Sequence, residues 1–158
     1  MNNWLEIILL SMLPISELRG GIPLGIAHGI SPLAAFLVCV LANILIVPII
    51  FVFLVTLNKL LLRIDIYSRF FHHFLERARH KIHKQVEKYG YLGLMIFVAI
   101  PLPMTGAYTG TLGAWALDMN KKKAFAAIAA GVIIAGLIVT LVSYYGFHLL
   151  DIFLEKPV

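Results

Sequence analysis

The chain has 158 residues, 61% of them hydrophobic and 13% charged, with a mean hydropathy of +0.93. A soluble domain is near half apolar and a quarter charged, so these figures exclude disorder and a water-soluble enzyme and point to a bilayer. The net charge of +5 is local: residues 59–88 hold eight basic and three acidic side chains, and the remainder balances at five of each, so no nucleic-acid surface is expected.

The opening MNNWLEIILL has no basic leader region and carries Glu6, so no cleavable signal peptide is expected. Residues 5–29 are apolar but interrupted by Pro14, Glu17, Arg19, Gly20, Gly21, Pro23, Gly25 and His28. Two short apolar pieces around a Pro/Gly-rich polar centre predict a re-entrant hairpin, two half-helices meeting at a broken tip within the membrane. Glu17 and Arg19 are the informative residues, because each charge in such a stretch costs roughly 2.5–3.5 kcal/mol on insertion scales. Spaced i, i+2 they share no helix face. In the extended tip expected from Pro14, Gly20 and Gly21, both point into one cavity. Arg19 then offers a fork for phosphate or carboxylate, beside the free N–H groups of a half-helix N-terminus. Glu17 offers a proton-coupling carboxylate. The plainer alternative is a buried pair that only fixes the hairpin. His28 reads as a capping or interfacial histidine.

Residues 31–57 are long enough for a full span, which needs about 20 apolar residues at 1.5 Å each. Pro48 should kink it, with Asn43 bonding nearby backbone. Cys39, the single cysteine, reads as a small buried hydrophobe and excludes an internal disulfide or a CxxC pair. Residues 59–90 form a basic connecting segment. Within it Tyr67, Phe70, Phe71, Phe74, Leu75, Ala78, Ile82, Val86 and Tyr89 recur at helical spacing, opposite Arg69, Arg77, Arg79, Lys81, Lys84 and Lys88. This predicts a separate amphipathic helix lying on the inner membrane surface. His72, Glu76, His80 and His83 share one face, but the surrounding cations disfavour a metal, and none is expected.

Residues 91–117 repeat the broken pattern with Pro101, Pro103, Thr105, Gly106, Tyr108, Thr109 and Gly110. The three residues Thr105, Tyr108 and Thr109 either position a substrate headgroup or cap helix ends. Residues 123–149 form the second full span, where Ala127, Gly131 and Ala135 make a small-residue stripe for close packing against the first half or across a dimer.

The halves repeat at an offset of 88, which lays Gly25 on Gly113, Ala42-Asn43 on Ala130-Gly131 and Pro48 on Gly136. Lys59 and Arg63 after the first span, and Lys121, Lys122 and Lys123 before the second, put both ends on the cytoplasmic side. The fold class expected is therefore an all-α polytopic membrane protein of a prokaryotic inner membrane. Its two copies are inverted, each a re-entrant hairpin plus a transmembrane helix, and the amphipathic helix joins them.

Pro14-Ile-Ser-Glu17-Leu-Arg19-Gly20-Gly21-Ile-Pro23, followed by Pro101-Leu-Pro103-Met-Thr105-Gly106-Ala-Tyr108-Thr109-Gly110, resembles the small multidrug export membrane proteins, small relatives of the DedA (SNARE-associated, or VTT) superfamily. The resemblance implies facing hairpins and transport of an amphipathic or lipid-phosphate substrate, with Glu17 and Arg19 at the acidic and basic hairpin positions. DedA proteins usually carry arginine in the second hairpin, where this chain has Thr105 and Tyr108.

The reading is a transporter without cofactor, working among membrane lipids as a homodimer. The alternatives are a passive lipid scramblase, indifferent to a proton gradient, and a non-transporting assembly or recruitment protein acting through the basic helix. An intramembrane enzyme is not expected, since no Ser/His/Asp set, paired aspartates or HExxH is present.

Overall fold

The computed structural model describes residues 2–102 and 105–154, apart from the side chains at 59 and 149–154. All regular elements among them are helices. In order they are α1 (Asn3–Met12), α2 (Glu17–Ala27), α3 (Pro32–Val55), α4 (Leu57–Leu61), α5 (Asp65–Tyr89), α6 (Tyr91–Ala99), α7 (Ala107–Ala116) and α8 (Lys121–Leu154). Prolines decide the two breaks. Leu13, before Pro14, is extended (φ −79°, ψ 140°), and so is Ile100 before Pro101 (φ −77°, ψ 116°). A following proline ring clashes with a helical predecessor, so each helix stops there.

Two helices, α3 and Lys121–His148 of α8, are long and apolar enough to cross a membrane. The start of α3 is a serine cap, Ser31 Oγ accepting from Ala34 N–H (3.4 Å), followed by proline in the first turn. Asn120 Oδ1 accepts from the N–H groups of Lys122 and Lys123 to start α8, which is longer than the expected 123–149. The short α4 has no counterpart among the expected elements.

The chain divides into two compact units, Met1–Asn43 with Ile133–Val158, and Ile44–Val132. In the first, α1 packs along α2. Gly21 makes this possible: a Cβ there would strike Ser11 Oγ, and would lie 2.8 Å from the Ile7 carbonyl and 2.9 Å from Cys39 Sγ. Asn43 lies on α3 and is fully buried. Its Nδ2 donates to the Ser11 carbonyl (3.1 Å), an acceptor in the last turn of α1 that the interrupted helix leaves open. Gly136 of α8 meets Val40 and Phe36 of α3.

In the second unit the same kind of contact recurs. A Cβ at Gly110 of α7 would lie 2.7 Å from Val98 of α6 and 3.6 Å from Ile128 of α8. Gly110, Val98 and Ile128 stand 89, 87 and 89 positions after Gly21, Ser11 and Cys39. Gly131 seats α8 against Met95 and Val98 of α6, so this part of the small-residue stripe serves the second half's own hairpin.

One expectation needs correcting here. The segment Asp65–Tyr89 is helical, but it is not a separate element. It packs against both α6 and α7, burying Phe71, Ala78 and Ile82. Gly93 and Gly113 explain the close approach, because a Cβ at Gly93 would meet the Gln85 carbonyl, and one at Gly113 would meet Ile82. Much of the stripe read as lipid-facing is thus covered by protein.

Candidate functional site

The first break occupies Leu13 to Ser16, and Glu17 opens α2. Ser16 Oγ, from the break, donates to the Leu10 carbonyl (2.5 Å) in the open last turn of α1, and Ser11 Oγ bonds back to the Ile7 carbonyl (2.7 Å) within the helix. The tip of this break is apolar: Leu13 is exposed and Ile15 is 96% exposed. Gly20, Gly21 and Pro23 were expected in an extended tip with Pro14, but they lie inside α2. Gly20 and Gly21 serve close packing, the first against Ser16 and the second against Ser11, Ile7 and Cys39. Pro23 has no N–H to give to the Arg19 carbonyl four residues earlier.

Glu17 is 5% exposed although it is a carboxylate, and its φ is +47°. The left-handed region is rare for residues with a Cβ and costs of order 1–3 kcal/mol. Its N–H donates to the Leu13 carbonyl (3.0 Å), which fixes the residue at the turn into α2. Arg19, half-buried, lies within electrostatic reach of Glu17. The structure therefore brings the two expected charges together in the first turn of a helix.

Thr105, Tyr108 and Thr109 belong to the second unit, as do Pro101, Gly106 and Gly110; Pro103 lies outside the described residues. Thr105 Oγ1 stands 2.7 Å from both the Ile100 and Leu102 carbonyls, and accepts from Leu102 N–H at 3.2 Å. Its hydroxyl thus closes the backbone of its own break. Gly106 precedes the first residue of α7, with Gly110 one turn inside. Tyr108 packs beside the apolar cluster of Ile50, Leu54 and Phe71. Thr109 is half-buried on α7.

Sequence reasoning missed two polar positions, Ser11 and Asn58, and the partner of a third. Asn43, expected to bond backbone near it on its own span, instead joins α3 to α1 through the Ser11 carbonyl. Asn58, also fully buried, accepts from the Tyr67 hydroxyl (2.9 Å) and leaves its Nδ2 without a partner. Burial holds the Tyr67 phenol above its ordinary pKa, so it stays protonated to donate this bond.

Across α5 the ionisable groups pair at the surface, Arg79 with Glu76 (3.8 Å) and His83 with Glu87 (3.4 Å). No three His, Cys, Asp or Glu residues among those described gather as a metal site. His28 follows the last residue of α2 and is exposed.

No curated protein and no solved structure matches the chain. Residues 17–138, well over half of it, match the family described as "Putative small multi-drug export protein", and the chain belongs to that family.

Proposed function

We propose that the protein moves a small anionic amphiphile, lipid-phosphate-like in its chemistry, across a membrane, with Arg19 holding the anion and Glu17 carrying a coupled proton. One observation carries this reading: a carboxylate 5% exposed, at φ +47°, stands beside a guanidinium in a segment otherwise free of charge from residues 7 to 58. Backbone strain and buried charge both oppose folding. Their coincidence at one turn supports a working site. Thr105, Tyr108 and Thr109 of the second hairpin would contact the substrate headgroup. A relationship to the DedA superfamily belongs to the same proposal and rests on the Glu17/Arg19 motif.

The proposed topology is an inverted repeat in a prokaryotic inner membrane, with the two hairpins re-entering from opposite sides and the 59–90 segment cytoplasmic. Repetition of the order half-helix, break, half-helix, long helix supports it, as do the glycine contacts spaced 87 to 89 positions apart. The lysines at 121–123 support the orientation. Three cations at a helix N-terminus oppose its dipole, so helix stability is no reason for them, whereas retention on the cytoplasmic side is. A homodimer is proposed as the working assembly.

The test is flux in reconstituted vesicles under an imposed pH gradient. Correctly inserted Glu17→Gln should lose the response to the gradient, and Arg19→Ala should lose substrate movement. Wild-type rates in both would overturn the mechanism.

A further inference from the structure

The second unit contains a hollow of about 270 Å³ between the C-terminal part of α3, the start of α5 and α7. Ile50, Leu54, Phe71, Phe74, Tyr108 and Leu112 form most of its wall. No polar atom faces it: the Tyr67 hydroxyl is turned to Asn58, and the two tyrosines present ring carbon. Phe70, 65% exposed, and Phe74, 39% exposed, stand at its edge. Two large aromatics left open beside an apolar trough need a cover, and the wall is continuous with α3, one of the two helices long enough to cross a membrane.

What distinguishes the trough from any lipid-facing surface is its rim. A second hollow shares Tyr67 and Phe70 with it and is bordered by Arg69 and His73. Arg63 lies just before α5, and one acid, Asp65, opens the helix. Residues 59–74 hold three basic side chains and one acid, so an anion is the complement that the rim favours. An occupant must combine an aliphatic chain without polar atoms and an anionic head a short distance away.

We propose that this trough seats one acyl chain of an anionic phospholipid, whose phosphate is held at Arg69 with His73 beside it. The site is distinct from the Glu17–Arg19 turn and does not depend on its proposed role. A bound lipid here would fasten α5 to α7 through Tyr108, one of the residues expected at the second hairpin. It would also cover Phe70 and Phe74, the pair of exposed aromatics near the start of α5.

Trp115 provides the readout. It stacks edge-on against Phe71, a wall residue, at 6.1 Å between ring centres, and the chain has two tryptophans. With Trp4→Phe, Trp115 becomes the sole indole, and bromine on an acyl chain in the trough quenches it. The protein is reconstituted in zwitterionic phosphatidylcholine containing a minor fraction of brominated phosphatidylglycerol, or the same fraction of brominated phosphatidylcholine. Severalfold stronger quenching by the anionic lipid is expected. Arg69→Gln with His73→Gln should reduce it to the phosphatidylcholine level, and Leu112→Phe, which fills the trough, should weaken it. Equal quenching of the unaltered trough by the two lipids overturns the proposal without reference to any variant. So does a Trp115 that neither brominated lipid reaches, which would mean that a second copy or a peptide covers the trough. Retained preference in the Arg69/His73 variant would overturn the assignment of the headgroup.

Discussion

Replacing Glu17 and Arg19 singly and together separates a structural pair from a working one. Removing only the guanidinium, as Arg19→Leu, leaves a carboxylate 5% exposed without its cation. Breaking a buried pair this way costs about 3–5 kcal/mol, and the partial exposure of Arg19 favours the lower end, about 3 kcal/mol. At ~2–4 °C per kcal/mol for a chain of this size, the melting temperature should fall by about 6–12 °C. The double variant Glu17→Gly/Arg19→Leu is different in sign. Glycine at φ +47° releases strain of order 1–3 kcal/mol, and replacing both charges removes their desolvation cost. Against this stands glycine's loss of chain entropy, about 1 kcal/mol. The double variant should therefore melt within a few degrees of wild type, or above it, while losing transport. Thermal unfolding in detergent followed by tryptophan fluorescence measures the first quantity, and vesicle flux the second. A double variant as unstable as Arg19→Leu would refute the assigned strain and coupling. A stable double variant that still transports would refute the functional reading.

The packing makes three further predictions. Gly21→Ala should destabilise by about 1–3 kcal/mol through overpacking, whereas Gly146→Ala, with nothing within 4 Å, should be neutral or stabilising by up to ~1 kcal/mol; detergent melting of the two side by side checks both. Asn43→Ala removes the donor to the Ser11 carbonyl and should cost about 1–3 kcal/mol in the same assay, mainly by leaving a buried acceptor open. Thr105→Val should destabilise by about 1 kcal/mol and Thr105→Ser should not, because only the hydroxyl closes the Ile100–Leu102 turn. If transport follows that stability order, Thr105 acts by shaping the break.

The residues that made the fold legible are those with strong local rules. Pro14 and Pro101 stop helices through sterics that need no tertiary knowledge, so both breaks were placed to within a few residues. Length and apolarity led to the expectation of full spans at 31–57 and 123–149, where α3 and α8 are long and apolar enough to cross a membrane, and the 3.6-residue period led to α5. Gly20 and Gly21 misled for an equally physical reason. Glycine permits both a strained turn and a close helix contact, and only the partner surface of Ser11, Ile7 and Cys39 shows which of the two applies. The positive φ had fallen instead on Glu17, a residue whose type gives no hint of it.

The amphipathic face of α5 teaches the same point from the other side. A helix with an apolar stripe and a basic back is equally suited to a membrane surface and to a protein groove, because burial of apolar area is indifferent to what supplies the cover. The discriminating information lay outside the helix, in Gly93 and Gly113, where missing side chains admit the Gln85 backbone and the Ile82 side chain. Glycines on α6 and α7 facing α5 are a cost without that contact and an asset with it. The stripe is consumed unevenly: Phe71, Ala78 and Ile82 are covered, Tyr89 is left exposed at one end, and Phe70 and Phe74 are left exposed towards the other, where Arg69 and His73 border them. A face half used by protein and bordered by cations at its unused end has a narrower choice of partner than the sequence alone allowed. The proposed lipid contact rests on that remaining part of the face, because Phe71, Ala78 and Ile82 are already covered by protein.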